Sequence, residues 1–177
     1  MSHRHWIGFK GTGKARLAAV CDLMEDRAKA YAQDHNPEAK IYIDYKRMMA
    51  EIKPDFVCVS LWPHLHASTV CDLAPFKPKG ILCEKPMDSD WDAAVRMHET
   101  CRANGVPLMI NHQRRFNTPF SGAKKLLEAG AIGKLVRLDS AWGNFQDSGT
   151  HMIDMLFYFN NDQDAEWVLA QADARGG

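Results

Sequence analysis

Apolar positions along the chain fall into short, compact runs separated by amphipathic stretches, and the alternation sets the expected elements. "ARLAAVCD" is an apolar run that ends on Asp22 and predicts a strand. "MEDRAKAYAQDH" is rich in helix formers, and "IYIDYKRMMAEIK" predicts a short strand and then a helix that stops before Pro54. "DFVCVSL" is almost continuously apolar, as expected of a parallel strand covered on both faces. "HASTVCDLAPF" reads as a helix stopped near Pro75 and Pro78, and "KGILCEKP" as another buried strand. "SDWDAAVRMHETCRANG" opens on a Ser or Asp cap and closes on Gly105, and "VPLMINHQRRF" follows as a further strand. From Arg16 to Ile110 the pattern is that of a doubly wound α/β parallel sheet, whose ligand site lies at the carboxyl ends of its strands.

Beyond Phe116 the character changes. "TPFSGAKKLLEAGAIGK" predicts a helix with a glycine stop, "LVRLDSAWG" a strand, and "GTHMIDMLFYF" a helix with a heavily apolar face. "EWVLAQAD" is one more short strand candidate. A second domain is expected to start here, with too few strands to cover that apolar helix.

"GFKGTGKA" at Gly8–Ala15 is close to a nucleotide-triphosphate loop, but Ala15 stands where the metal-binding hydroxyl belongs, and a strand follows it instead of a helix. It does not satisfy G-x-G-x-x-G either, because Arg16 takes the place of the third glycine. A surface loop is the expectation.

Composition narrows the partners. Lys plus Arg and Asp plus Glu number 22 each, so bulk charge gives no case for nucleic acid or an anionic membrane surface. The five cysteines never fall at C-x-x-C spacing and mostly sit in apolar runs, which suggests a reducing, cytoplasmic setting. No secretory leader pattern and no apolar run near ~20 residues is present, so no membrane span is expected.

The strand-end positions are Asp22, Pro63 to His66, Cys83 to Pro86 and Asn111 to Phe116. An acidic residue after the second strand of a dinucleotide fold accepts hydrogen bonds from a ribose and repels a 2′-phosphate; Asp22 is either that residue or an ordinary cap. Lys85, between a buried strand and rigid Pro86, is placed for proton transfer or is simply solvated. In "DSGTHMIDM", His151 and Asp154 are spaced i, i+3, with Asp147 just before. The set suits a general base, a satisfied buried histidine, or a metal site, although no third ligand stands at suitable spacing and "HLH" at His64 and His66 is too short to enlist. Arg114 and Arg115 in "HQRRF" either line a polyhydroxylated ligand or form ion pairs.

Taken in order, "AVCD", "DYKRMMAEIKPDFVCVSLWPHLHA", "ILCEKPM", "INHQRRFN", "GAIGKLVRLDSAWG" and "DSGTHMIDML" resemble the glucose-fructose oxidoreductase and inositol dehydrogenase family of NAD(P)-dependent enzymes over nearly the whole chain. The resemblance implies an incomplete NAD(P)-binding Rossmann-like domain over 1–115, lacking its first strand and glycine loop and opening on "HRHWIGFKGTGK" as the end of the first helix and the loop after it, and the start of an α/β substrate-binding and dimerisation domain over 116–177. It implies hydride transfer between a sugar or polyol carbinol carbon and NAD, with NADP possible, in a homo-oligomeric parent. It also implies catalytic roles for Lys85, Asp147 and His151, cofactor contacts by Asp22, Pro63, His66, Glu84 and Lys85, substrate contacts by Arg114, Arg115, Asp147 and His151, and no metal. Two other readings stay open: a glycoside-processing enzyme working by oxidation and elimination, and a non-catalytic sugar-binding or interaction protein without usable cofactor.

Overall fold

The structure, a computed structural model, describes residues 2–141 and 148–171. The chain divides into two compact units, Met1–Asn111 and His112–Gly177. In the first unit helix α1 (Ser2–Gly11) precedes β1 (Ala19–Cys21), α2 (Glu25–His35), β2 (Lys40–Tyr42), α3 (Tyr45–Ile52), β3 (Phe56–Val59), α4 (His66–Leu73), β4 (Gly80–Cys83), α5 (Trp91–Asn104) and β5 (Leu108–Ile110). All pairings are parallel: β1 with β2, and β3 with β4 with β5.

The expected alternation is therefore present, and the α/β reading holds. The strands form two sheets, β1-β2 and β3-β4-β5. In the dinucleotide order 3-2-1-4-5-6, β2 and β1 match the third and second places and β3, β4 and β5 the last three. Among the described residues no strand takes the first place, so each sheet keeps one edge where that strand would pair.

Local signals explain the boundaries. The Asp44 carboxylate accepts from the Lys46 and Arg47 amides at 2.8 and 3.2 Å and starts α3. Asp90 does the same for α5 through Ala93 N at 2.8 Å, and α5 ends where Gly105 takes φ +68°, a left-handed conformation that costs glycine little. Ala93, Met97 and Cys101, four residues apart, lie on one face of α5 and join Val57, Val59, Val70, Leu73, Ile81 and Cys83 in the core.

The second unit has α6 (Thr118–Glu128) and α7 (Thr150–Phe159), the expected helices. The strands expected in "LVRLDSAWG" and "EWVLAQAD" are not formed among the described residues, and residues 135–141 and 166–171 are irregular. Apolar alternation makes a strand only where a neighbouring strand accepts its backbone groups, and here Val136, Val168 and Leu169 are exposed. At the other end "GFKGTGKA" is helical as far as Gly11 and only then turns, as the resemblance implies for the end of a first helix and the loop after it, and is not a loop throughout. No described helix is long and apolar enough to cross a membrane.

Candidate functional site

The carboxyl ends of β1, β3, β4 and β5 carry most of the polar residues singled out in the first unit. Asp22 follows β1, and its Oδ1 accepts from Met24 N at 2.8 Å, shaping the turn into α2. Pro63 opens a 3-10 turn after β3. His66, at the start of α4, is fully buried: Nδ1 lies 2.8 Å from the Pro86 carbonyl and Nε2 3.1 Å from that of Leu61. The imidazole therefore ties the loop after β3 to the loop after β4. Asp88 adds to this link, accepting from Ala67 N at 3.1 Å through Oδ2.

Glu84 follows β4 and is 5 % exposed. A buried carboxylate is costly unless its oxygens are occupied, and these are. Oε1 lies 2.6 Å from His5 Nε2 and accepts from Asn111 Nδ2 at 2.8 Å, while Oε2 accepts from Lys85 N at 3.2 Å. Burial pushes the Glu84 carboxyl up, but the hydrogen bonds from His5 and Asn111 and the positive imidazole outweigh it, leaving the group below the usual carboxylate range. His5 is correspondingly raised to about 9 by its hydrogen bonds to Cys58 and Glu84. Lys85 is the next residue, half-buried, and its peptide to Pro86 is cis.

In the second unit His151 lies on the first turn of α7 and is 5 % exposed. Its ring meets His112 edge to face, with centroids 5.5 Å apart. His112 Nδ1 is 3.9 Å from Asp154 Oδ2. Arg115 Nε donates to both Asp154 oxygens at 2.9 and 3.0 Å, while Nη1 and Nη2 donate to Asp162 at 3.0 and 2.7 Å. Of the two roles open to Arg115, the ion pair is the one formed; the paired carboxylates, Asp162 first and then Asp154, raise its already high pKa. Arg114 lines a shallow cavity with Phe120, Leu138, Met152 and Phe159. Asp147 lies outside the described residues, as do Gly143 to Gln146.

Thus the structure gathers Glu84, Lys85 and His66 around the ends of β3 and β4, and separately places His151 beside His112. Two participants escaped the sequence reading, His5 and Asp162, which reach their partners across long sequence separations; His112 is covered only by its strand-end position, with no role assigned. Among the described residues no group of three or more His, Cys, Asp or Glu is placed to hold a metal ion.

Fit to a dinucleotide is partial. Asp22 stands where a ribose-binding acid belongs. A pyrophosphate needs a glycine turn between a strand and a helix N-terminus, and here α1 precedes the first described strand. Gly8, Gly11 and Gly13 have nothing within 4 Å of an added Cβ, so none forms a close cradle. The first turn of α2, the helix that does follow β1, carries Glu25 and Asp26, which repel phosphate. The pyrophosphate portion therefore does not fit the residues described.

Known proteins agree with the fold. The chain is 32 % identical over 140 residues to a D-apiose dehydrogenase from Rhizobium rhizogenes, covering 79 % of this chain and 38 % of that protein. It is 27 % identical over 163 residues to an inositol 2-dehydrogenase/D-chiro-inositol 3-dehydrogenase from Shouchella clausii, covering 84 % and 46 %. The structure matches an oxidoreductase from Agrobacterium radiobacter, solved in complex with NAD+, L-tartaric acid and magnesium, with a TM-score of 0.72 and 26 % identity over 80 % of this chain and 46 % of that one. The chain thus spans less than half the length of these relatives. Residues 1–112 match the family described as "Oxidoreductase family, NAD-binding Rossmann fold", and the chain belongs to that glucose-fructose oxidoreductase and inositol dehydrogenase (Gfo/Idh/MocA) family.

Proposed function

We propose that these residues serve in an NAD-dependent dehydrogenase that oxidises a secondary hydroxyl of a sugar or polyol. The observation that carries the reading is Lys85, held at the carboxyl end of a buried parallel strand between the fully engaged Glu84 carboxylate and Pro86. The family match supports it, and so do relatives named for apiose and inositol. In such a reaction NAD supplies the hydride acceptor. The work of this chain is to handle the hydroxyl proton and hold the ligand.

Lys85 is proposed for proton handling in the first unit. His151, with Asp147 as its orienting carboxylate, is proposed for proton handling in the second. Buried His151 has His112 against its ring, which limits the orientations the imidazole takes. Asp22 is proposed for the adenosine ribose, favouring NAD over NADP, and Pro63 for packing on the nicotinamide side. His66 acts as a positioning residue, since both its nitrogens face backbone carbonyls. Arg114 is the proposed substrate contact, while Arg115 braces α7 against the 3-10 turn that carries Arg114. The reading also places the enzyme in the cytoplasm as a homo-oligomer.

The test uses a full-length form of the protein, completed ahead of Ser2 by a strand and a G-x-G-x-x-G turn and extended to a whole substrate domain. Lys85→Met and His151→Ala are each expected to lower kcat by ~10² to 10⁴-fold and remove one limb of the pH profile, with little change in NAD affinity. Turnover against pH, normalised to folded protein, decides each residue separately. A variant that keeps wild-type kcat and the same pH limb removes that residue from the proton-handling role.

A further inference from the structure

The proposed reaction leaves His5 and Cys58 without a part. On β3, Cys58 is exposed to solvent, and its Sγ lies 2.7 Å from Nδ1 of His5 on the first turn of α1. The His5 side chain is 8 % exposed, and its other nitrogen, Nε2, is 2.6 Å from the buried Glu84 carboxylate, whose side chain is 6 % exposed. Asn111, just past β5, donates to the same carboxylate oxygen, Oε1, at 2.8 Å, and its Nδ2 also lies 2.9 Å from His5 Nε2. An imidazole is thus clamped between a buried anion and a surface sulfur.

The other four thiols differ. Cys83 and Cys101 are buried, and burial raises both, Cys83 to about 12. Cys21 and Cys71 are half-buried and have no imidazole partner among the described residues. Two residues beyond Cys58, the Ser60 hydroxyl is buried with no hydrogen-bond partner among the described residues.

We propose that Cys58 is a reactive thiol, a modification site in which His5 donates to the sulfur and Glu84 holds His5 in its cationic form, and that hydroperoxides are the reagents it takes. Thiolate, not thiol, is the nucleophile, and cationic donors beside a sulfur favour it. In the step, the sulfur attacks one peroxide oxygen and the O–O bond breaks. The sulfur loses two electrons and becomes a sulfenic acid. The peroxide takes those electrons, and its leaving oxygen receives the His5 proton and departs as water or alcohol. His5 recovers its proton from solvent. This proposal does not depend on the dehydrogenase reading.

The experiment labels the 177-residue chain with iodoacetamide and maps each cysteine by mass spectrometry across pH 6 to 9. In the folded chain Cys58 is expected to react at least ~10-fold faster than the other four at pH 6.5 and to change little with pH. In the urea-unfolded chain its rate should climb with pH as an ordinary thiol's does. His5→Ala should return folded Cys58 to the ordinary profile, and hydrogen peroxide followed by a sulfenic-acid trap should label Cys58 first. If His5→Ala disturbs the fold, the comparison of folded with unfolded wild type still decides. A folded Cys58 that follows the unfolded pH profile, or that is not the first site of peroxide labelling, overturns the proposal.

Discussion

The two units are built on different physics. The first buries a continuous apolar cluster, with Met49, Val70, Leu73, Met97 and Cys101 at or below 1 % exposure. The second has few buried side chains among its described residues, and two of those, Lys124 and His151, are polar. Its α7 is tied instead by the Arg115 fork to Asp154 and Asp162, and by Lys124 to the Phe159 carbonyl and the Asn161 side chain. Ile132, Val136, Trp167, Val168 and Leu169 stay more than three-quarters exposed. Apolar burial contributes ~25 cal/mol per Å², whereas an ion pair near the surface contributes little after desolvation and ordering. The first unit is therefore expected to supply the stability, and the second to open more readily.

The largest expected effect strikes the core. Met97→Ala, at 0 % exposure, should destabilise the first unit by about 2–5 kcal/mol, read by urea denaturation. A cost under about 1 kcal/mol would mean that this core is loosely packed.

Next is a pH effect confined to the first unit. Because folding raises His5 from 6.5 to about 9, through its hydrogen bonds first to Cys58 and then to Glu84, the stability those contacts provide is fully present below pH 6.5 and is lost as pH rises through about 9. The amount is on the order of 3 kcal/mol. Thermal melts between pH 6 and 10 should show the loss, and Glu84→Gln should lessen it; an equal slope in that variant would contradict the assignment.

A smaller effect distinguishes the second unit. Arg115→Ala leaves the Asp154 carboxylate, 13 % exposed, without its fork, and should cost about 1–3 kcal/mol. Amide exchange is expected to quicken along α7 and to stay unchanged in α5. Slowed or unaltered exchange in α7 would show that other contacts hold it.

The same contrast explains what was legible in the sequence. The first unit could be read because local signals bound several of its elements: Asp90 as a cap, Gly105 as a terminator, Pro54 after α3. In the second unit the helices were equally readable, but the strands were not. "LVRLDSAWG" has a strand's alternation, yet alternation says nothing about whether a partner strand is present, and without one the backbone stays irregular. Site residues divide in the same way. Strand-end positions such as Asp22 and Lys85 follow from the fold rule, and their surroundings do not. Spacing placed His151 beside Asp154, but Asp154 spends both oxygens on Arg115, a partner 39 residues away. His5 reaches Glu84 from an even greater sequence distance, with no motif linking the two.

The central claim is that residues 2–111 carry the parallel sheet of a dinucleotide site without the turn that grips its pyrophosphate. Calorimetric titration of the 177-residue chain with NAD tests this most directly, run beside the form completed by a strand and a G-x-G-x-x-G turn. The account predicts no binding tighter than about 1 mM for the chain alone and a gain of ~100-fold or more on completion, since the turn and helix N-terminus supply the anion-binding groups. Micromolar NAD binding by the chain as it stands would contradict it.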